Sequence, residues 1–384
     1  MPKITDTPAG QGAPGAPSGT GAAQPPTAQK SPGAPAILKA DGFEPDYTNL
    51  ADAARNVAPG RMPLYEHIID ASVMERITGA DFAQLIGGGG ADKREFFRHY
   101  AGFFREMGYD TVSFECCVPG PGALQTPSKG VISDRADFER YPWGGVEDEF
   151  WARHGGDYSA LEDVMPAGMK AVGGVGLGVF ENVQNYVGYP ALCYIREDDP
   201  ELYADLFIKI GDVMCSIWGT FLARFGGMYA VCRFGDDLGY KTNTLLSAGD
   251  IREHIIPQYR RVTDQVHALG KPFLYHSCGC IFNVMDDIIG GAKIDAKHSN
   301  EDEIAPFEAW VGRYGGRIGN FGGIDTDMLC RSPEQVIKAH TREIIAMAKP
   351  HGGFALGSGN SIPQYVPPEG YLAMVEAARE SRGE

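Results

Sequence analysis

A histidine and a cysteine two positions apart, His276 and Cys278, are the residues of this 384-residue chain whose types and spacing point most directly to chemistry. They lie in residues 272–280 (PFLYHSCGC), a short apolar run that predicts a buried strand. Alternate residues of a strand point the same way, so the imidazole and the thiol share one face. Together they suit zinc, which lowers the pKa of a bound substrate thiol and creates a thiolate nucleophile. The alternative is a buried strand that carries His and Cys as core residues.

A tetrahedral zinc site needs at least one more ligand from elsewhere in the chain. Cys280 is a candidate, but the chain turns at Gly279, which leaves the direction of that side chain open. The other candidates come from predicted strand ends: Glu115, Cys116, Cys117 and His298. We predict a metal shell of His276 and Cys278 with Cys117 and Glu115.

Acidic residues at another predicted strand end form a second cluster, Asp236 and Asp237. Paired carboxylates suit general acid–base work, and with His298 they are the predicted catalytic residues. The alternatives are that one aspartate caps the next helix while the other is solvated, and that His298 is satisfied by a neighbouring loop.

Four further residues are predicted to contact the substrate: Arg61, Glu181, Asp325 and Asn360. An arginine can bind a substrate carboxylate through two parallel hydrogen bonds, although Arg61 can also be an ordinary surface residue. Asp325 follows a pair of glycines that allow a backbone or a ligand to approach closely, and its alternative role is that of a helix N-cap.

The elements that position these residues alternate regularly. From about residue 60, short apolar runs are followed by amphipathic stretches, beginning with a predicted helix over 91–109 and a strand over 110–118. Repeated β–α units fit either a doubly wound sheet or a closed barrel, and no GxGxxG follows the first strand. In a barrel, the active site lies at the C-terminal ends of the strands, where the candidate residues fall.

Composition narrows the function classes. A formal charge of −16 argues against binding to nucleic acids or to anionic membranes. The absence of a run of about 18 apolar residues predicts no membrane-spanning helix. Eight cysteines in a chain of this length favour a reduced, cytoplasmic location. Residues 1–40, rich in Pro, Gly and Ala, are predicted to be a disordered tail before a barrel domain over 41–384.

Five motifs resemble those of the uroporphyrinogen decarboxylase-like superfamily, in the order in which that superfamily carries them. They are residues 61–67 (RMPLYEH), 234–239 (FGDDLG), 275–279 (YHSCG), 294–299 (IDAKHS) and 319–325 (GNFGGID). The resemblance extends over about residues 60–380. It implies a (β/α)8 TIM barrel with a deep cleft at the C-terminal strand ends.

The decarboxylases of that superfamily act on a porphyrinogen bearing several carboxylates, without metal or cofactor. Their N-terminal motif resembles R-Q-A-G-R-Y, and here the matching region keeps one arginine, Arg61. Their late histidine, in a Gly-His-Gly setting, is replaced by Ser358. Both departures remove groups suited to a polyanionic substrate.

The corrinoid-protein methyltransferases of the superfamily move a methyl group between methylcobalamin and a thiol. Their zinc motif resembles His-X-Cys followed much later by Cys. His276 and Cys278 match its first half, while the late cysteine aligns with Asn360. Another residue, such as Cys117, Glu115 or Cys280, then completes the shell, or zinc binding is lost.

Three functions follow as hypotheses. The first is a corrinoid-dependent methyltransferase that uses zinc, takes a small-molecule substrate and has a corrinoid protein as a possible partner. The second is a decarboxylase acting on a tetrapyrrole. The third is a barrel that binds a corrinoid or tetrapyrrole without catalysis. The sequence leaves the methyl donor, the methyl acceptor and the oligomeric state open.

Overall fold

A computed structural model describes residues 42–86, 88–120 and 130–384. The predicted disordered tail, residues 1–40, lies outside the described residues. Seven parallel strands form one sheet in which neighbours along the chain are neighbours in space. The strands are β1 Thr111–Cys117, β2 Lys170–Gly176, β3 Tyr229–Gly235, β4 Phe273–His276, β5 Ala296–His298, β6 Gly319–Ile324 and β7 Phe354–Ser358.

Residues 62–69 take the eighth position, between β7 and β1. Leu64 pairs in parallel with Leu356 of β7, and the Tyr65 N–H donates to the Leu356 carbonyl at 2.8 Å. On the other side, the Ser113 hydroxyl of β1 donates to the His67 carbonyl. The predicted (β/α)8 barrel is therefore confirmed. It is a curled parallel sheet of seven strands, and residues 62–69 take the eighth position through isolated β-bridges.

Helices surround this sheet and connect its strands. They are α1 Thr48–Ala54, α2 Ala71–Thr78, α3 Phe82–Ile86, α4 Gly90–Glu106, α5 Arg135–Arg140, α6 Gly145–Val164, α7 Val179–Val187, α8 Tyr189–Asp198, α9 Pro200–Phe225, α10 Ala248–Asp250, α11 Ile256–Ala268, α12 Met285–Asp287, α13 Phe307–Tyr314, α14 Thr326–Arg331, α15 Glu334–Ala348 and α16 Pro368–Arg382. A π-helical turn, Ile251–Ile255, joins α10 to α11, and a second, Ile288–Ala292, extends α12. The predicted helix over 91–109 is α4.

Helix α9 and the turn that follows it, Pro200–Met228, are long and apolar enough by length and composition to cross a membrane. The apolar runs of the sequence predicted no such helix. Half of its most apolar window is buried inside the protein, where residues such as Leu206, Ile210 and Trp218 are fully covered. This burial is typical of a core helix, because such a helix buries its apolar side chains against the rest of the protein.

The interior of the barrel is closed at its N-terminal end. Inward-facing residues of the strands, among them Val231, Leu274 and Ala296, form one apolar cluster with α1. Gly353 permits this contact, because a Cβ atom there would lie 2.0 Å from the Ala53 carbonyl oxygen. Functional side chains inside the barrel are therefore accessible from the C-terminal ends of the strands.

Candidate active site

His276 and Cys278 emerge together at the C-terminal end of β4, as their spacing predicts. The Cys278 sulfur lies 3.4 Å from His276 Nε2. Asp237, just after β3, joins them: one of its oxygens lies 3.8 Å from the same nitrogen and accepts a hydrogen bond from the Cys278 N–H at 2.8 Å. The three side chains thus offer one nitrogen, one sulfur and one oxygen atom, all within 4.8 Å of one another.

This donor set fits zinc. Zinc binds imidazole at about 2.0–2.1 Å and thiolate at about 2.3 Å, so a tetrahedral site holds the two atoms roughly 3.5 Å apart. The observed separation of 3.4 Å is close to that value. Three protein ligands leave a fourth position open, as in catalytic zinc sites rather than structural ones.

A hydrogen-bonded chain sets the tautomer of His276. His298 Nε2 lies 2.9 Å from the Ser358 carbonyl oxygen, and the Nδ1 atoms of His298 and His276 are 2.8 Å apart. Burial lowers the pKa of His298 to about 3 and the pKa of His276 well below its usual value, so both rings are neutral. A carbonyl can only accept, so His298 carries its proton on Nε2, and its Nδ1 accepts from His276. The Nε2 atom of His276 is left with a free lone pair that faces Cys278 and Asp237.

His67 adds a third imidazole to this cluster. Its ring stacks on that of His276, with centroids 3.8 Å apart and planes within 10°. The three histidines also offer nitrogen atoms within 4.8 Å of one another. Imidazole lone pairs lie in the ring plane, so those of two stacked rings do not converge on one ion. The His276–His298 contact is moreover a hydrogen bond. Of the two groups, the one at His276 Nε2 is therefore the better candidate to hold a metal ion.

Two side-chain donors surround the Cys278 sulfur. Asn360 Nδ2 lies 3.3 Å away and the Ser299 hydroxyl 3.9 Å away. Burial, with the nearby Asp237 carboxylate, raises the pKa of the Cys278 thiol above its usual range. A thiolate here therefore needs a positive ion beside it. Asn360 was predicted to contact the substrate, and the structure places it against the sulfur of Cys278.

The structure does not bring Glu115 or Cys117, the other two predicted ligands, to this group. Glu115 is buried against Arg233, with a nitrogen–oxygen distance of 2.8 Å. The sulfur of Cys117 lies beside Glu115, since a Cβ atom at Gly176 would meet both side chains near 3 Å. Among the described residues, neither belongs to a group of metal-ligating atoms within 4.8 Å of one another. The structure therefore does not bring the predicted shell together, and Asp237 lies beside His276 and Cys278 instead.

Asp236 has a structural position rather than an exposed catalytic one. Its carboxylate accepts from the Phe180 and Glu181 N–H groups, both at 2.8 Å, and from the Tyr259 hydroxyl. It thus caps the N-terminus of α7, whereas Asp237 lies beside His276 Nε2, and acid–base work stays a prediction. Gly178 makes room for this cap, because a Cβ atom there would lie 2.2 Å from that of Asp236. Burial, with Asp236 next in effect, raises the pKa of Glu181 to about 9.

The remaining predicted residues lie in different places. Arg61 sits at the N-terminal end of β1, where it pairs with Asp110 and donates to the Glu44 carbonyl at 3.0 Å. The structure therefore does not bring Arg61 to the C-terminal ends of the strands, where the other candidate residues lie. Asp325 is the N-cap of α14 and accepts from the Asp327 N–H at 2.7 Å. His298 is fully buried, and its two nitrogens are engaged by His276 and by the Ser358 carbonyl.

A cavity of about 790 Å³ opens beside the metal-ligating group, over the ends of β5, β6 and β7. Asn360 connects the two, because it lines the cavity and donates to Cys278. Five acidic side chains line this cavity with one arginine: Glu301, Asp302, Glu303, Asp325, Asp327 and Arg331. We call it the acidic cavity. Its charge favours neutral or cationic ligands over anions.

His67 and Arg233 lie at the site, but neither was predicted from the sequence to be a site residue. His67 ends residues 62–69, which take the eighth position of the barrel. The rule that functional groups follow strand ends would have selected it, had this segment been recognised as a strand. Arg233 lies inside β3 and is fully buried, donating to Tyr65 and Ser113 as well as to Glu115. A basic residue within an apolar strand was the available signal.

Comparison with known proteins agrees with this architecture. A family model described as uroporphyrinogen decarboxylase (URO-D) matches residues 194–381. A methyltransferase from Methanosarcina mazei superposes with a TM-score of 0.65 at 16% identity, over 88% of this chain and 99% of that chain. A putative vitamin-B12 independent methionine synthase from Listeria monocytogenes gives 0.48 at 13% identity, over 85% and 99%.

No curated protein matches the chain. The likeness to the Methanosarcina structure shows the fold, and the Listeria likeness is too distant to carry an argument. The family match covers β3 to β7, the part of the chain that holds His276, Cys278 and His298. The resemblance of the chain to the uroporphyrinogen decarboxylase-like superfamily is therefore confirmed over residues 194–381, and its fold is similar to that of the Methanosarcina methyltransferase.

Proposed function

We propose that this chain is a zinc-dependent methyltransferase that moves a methyl group between a methylated corrinoid, or another methylated substrate, and a thiol. The observation that carries the proposal is the convergence of His276 Nε2, the Cys278 sulfur and an Asp237 oxygen at the mouth of the barrel. The nitrogen–sulfur distance of 3.4 Å fits one tetrahedral zinc ion, and the Asp237 oxygen, 3.8 Å from the same nitrogen, would complete a three-ligand site with one open position. A zinc ion bound there would act as a Lewis acid that lowers the pKa of a substrate thiol.

The chain's own residues prepare this centre. The Ser358 carbonyl and His298 keep the lone pair of His276 on Nε2, which is the atom that faces the ligand group. Asn360 and Ser299 point donors at the Cys278 sulfur and so favour its thiolate form. In the transfer itself, a sulfur–carbon bond forms as the cobalt–carbon bond breaks. The electron pair stays with the corrinoid, and the proton of the acceptor thiol is released.

The charge of the acidic cavity favours methyl transfer over decarboxylation of a porphyrinogen. A substrate bearing several carboxylates would meet five acidic side chains and one arginine. The single arginine of the N-terminal motif, Arg61, is held by Asp110 at the other end of the barrel. Like charges brought together in a cavity repel, so this lining would weaken the binding of a substrate that bears several carboxylates. The same reasoning favours a neutral or cationic thiol acceptor over an anionic one.

Metal analysis of three proteins tests the centre. We expect about one zinc per chain in the wild type, a large loss in Cys278→Ser, and unchanged zinc in Cys280→Ser. Cys280 is the matched control, because it lies two residues further on and outside the ligand group. Less than about 0.2 zinc per chain in the wild type, or equal loss in both variants, would contradict the proposal.

Activity is measured with methylcobalamin and a neutral thiol such as 2-mercaptoethanol, with coenzyme M as an anionic comparison. The change in cobalamin absorbance follows removal of the methyl group. We expect demethylation with zinc-loaded protein and none with His276→Ala. A spectral shift on adding cobalamin, without turnover, would instead support the binding protein without catalysis. Release of carbon dioxide from a porphyrinogen without metal would support the decarboxylase.

A further inference from the structure

A second cavity, of about 530 Å³, lies on the other side of the histidines, between α2, α3, α4 and β1. Its walls are mostly apolar and aromatic, with Phe82, Phe96, Tyr100 and Phe114 among the lining residues. His67 also lines it. We call it the aromatic cavity. A concave, apolar space with a few polar groups is the usual form of a small-molecule site.

The charged residues that line the aromatic cavity are already engaged within the protein. Asp70 accepts from the N–H and the hydroxyl of Ser72, at 2.9 and 2.6 Å, at the start of α2. Glu75 accepts from the Ala83 N–H at 3.0 Å. The buried pair of Glu115 and Arg233 neutralises itself. Arg233, the cationic residue among those lining the cavity, is already paired with Glu115, so an anionic ligand finds no free counter-ion here and its desolvation would not be compensated.

His67 is the exception among the polar groups. The residue is 7% exposed, and its Nδ1 atom has no hydrogen-bond partner among the described residues. Burial of a polar atom without a partner costs free energy, and such atoms are rare in folded proteins. A ligand that lies in the aromatic cavity and presents an oxygen atom to this nitrogen would satisfy it.

We propose that the aromatic cavity binds a neutral small molecule with an aromatic or branched aliphatic body and one oxygen group, a hydroxyl or an ether, directed at His67. The aromatic walls contact the body through offset and edge-to-face packing. A hydroxyl suits either tautomer of His67, because it can donate or accept. The site does not depend on a metal, since its walls and its polar end are built from protein contacts alone.

The test is a binding measurement on the full chain with four probes of one shape: benzyl alcohol, toluene, benzoate and benzylammonium. Calorimetry, supported by saturation-transfer NMR, gives the affinities. We expect benzyl alcohol to bind about tenfold more tightly than toluene, the gain from one hydrogen bond to an unpartnered buried group. We expect benzoate to bind more weakly than toluene, and benzylammonium to bind more weakly than benzyl alcohol because an ammonium group is costlier to desolvate than a hydroxyl.

Two variants locate the binding. His67→Phe keeps a flat ring over His276 but removes the nitrogen, so benzyl alcohol should fall to the affinity of toluene. Ala83→Phe places a large side chain in the cavity wall and should weaken every probe at least tenfold. Ala152→Phe, an equally large change at an exposed position on α6, is the matched control and should bind like the wild type.

The proposal is overturned if none of the probes binds at millimolar concentration, or if benzoate binds most tightly. It is also overturned if toluene and benzyl alcohol bind equally to the wild type, or if Ala83→Phe binds like Ala152→Phe. None of these binding measurements requires zinc or methyl transfer. Failure of the proposed function therefore leaves this test intact, and failure here leaves the zinc centre intact.

Discussion

Replacing His298 with phenylalanine should weaken zinc binding although His298 is not itself a ligand in our account. Its Nδ1 atom is the acceptor for the Nδ1 proton of His276, at 2.8 Å in a buried setting. Without that acceptor, an unpaired buried donor costs about 1–3 kcal/mol. The proton then moves to Nε2, where it blocks the ligand atom. The corresponding loss of zinc affinity is about 10- to 100-fold, which is the usual effect of removing such an outer partner.

Competition with a chromophoric zinc chelator measures this affinity on protein whose folding has been checked by circular dichroism. His67→Phe is the matched control, because His67 stacks on the same ring without a hydrogen bond to its Nδ1 atom. We expect it to change zinc affinity by less than about threefold. His298→Gln should recover part of the affinity, since an amide offers both an acceptor and a donor. Wild-type zinc affinity in His298→Phe, or an equal loss in His67→Phe, would show that the His276–His298 hydrogen bond does not set the zinc affinity.

Three further predictions concern the buried framework around the site. The buried carboxyl of Glu66 accepts from the Ser358 N–H, and burial raises its pKa from 4.5 to about 8. The free energy of unfolding is therefore highest below pH 4.5, where this carboxyl is protonated in both the folded and the unfolded chain. As the pH rises from 4.5 towards 8, the unfolded chain loses the proton first, and the free energy of unfolding falls by about 1.4 kcal/mol per pH unit. Glu66→Gln should remove this loss in urea unfolding at pH 5, 7 and 9. Glu115→Gln should lower the free energy of unfolding in urea by about 3–5 kcal/mol, because it leaves a buried guanidinium unpaired. Gly178→Ala should displace the Asp236 carboxylate that caps α7, lowering that free energy by about 2 kcal/mol or more.

Each of these predictions has a control at an exposed or open position. Glu162→Gln on α6 should keep the wild-type pH dependence, and an unchanged pH slope in Glu66→Gln would contradict the first prediction. Glu149→Gln, at an exposed ion pair, should cost less than about 1 kcal/mol, and an equally small effect at Glu115 would contradict the second. Gly227→Ala has open space around its Cβ position and should be neutral in comparison with Gly178→Ala.

Much of the architecture could be predicted because it depends on local patterns. The alternation of apolar runs with amphipathic stretches predicted the order of strands and helices, and α4 begins and ends within three residues of its prediction. The period of two along a strand correctly placed His276 and Cys278 on one face. The same pattern could not separate an eighth strand from a loop, because residues 62–69 pair through isolated bridges.

The rest of the site could not be predicted, because it depends on contacts between distant segments. Asp236 and Asp237 are adjacent in sequence, yet one turns back to cap α7 and the other faces His276. Glu115 and Cys117 lie at the C-terminal end of β1, but Arg233 from β3 forms an ion pair with the Glu115 carboxylate. Arg61 lies early in a matching motif, and the structure places it at the opposite end of the barrel, beside Asp110. The sequence around each of these residues does not show which distant residue it contacts.

X-ray absorption at the zinc edge of zinc-loaded protein counts the sulfur atoms around the ion and so decides whether Cys278 is a ligand. We predict one sulfur at about 2.3 Å, from Cys278, with the other ligands nitrogen and oxygen at about 2.0–2.2 Å. The spectrum should be unchanged in Cys117→Ser and Cys280→Ser and should lose its sulfur contribution in Cys278→Ser. Two sulfur atoms in the wild type, or none, would contradict a centre built from His276, Cys278 and Asp237.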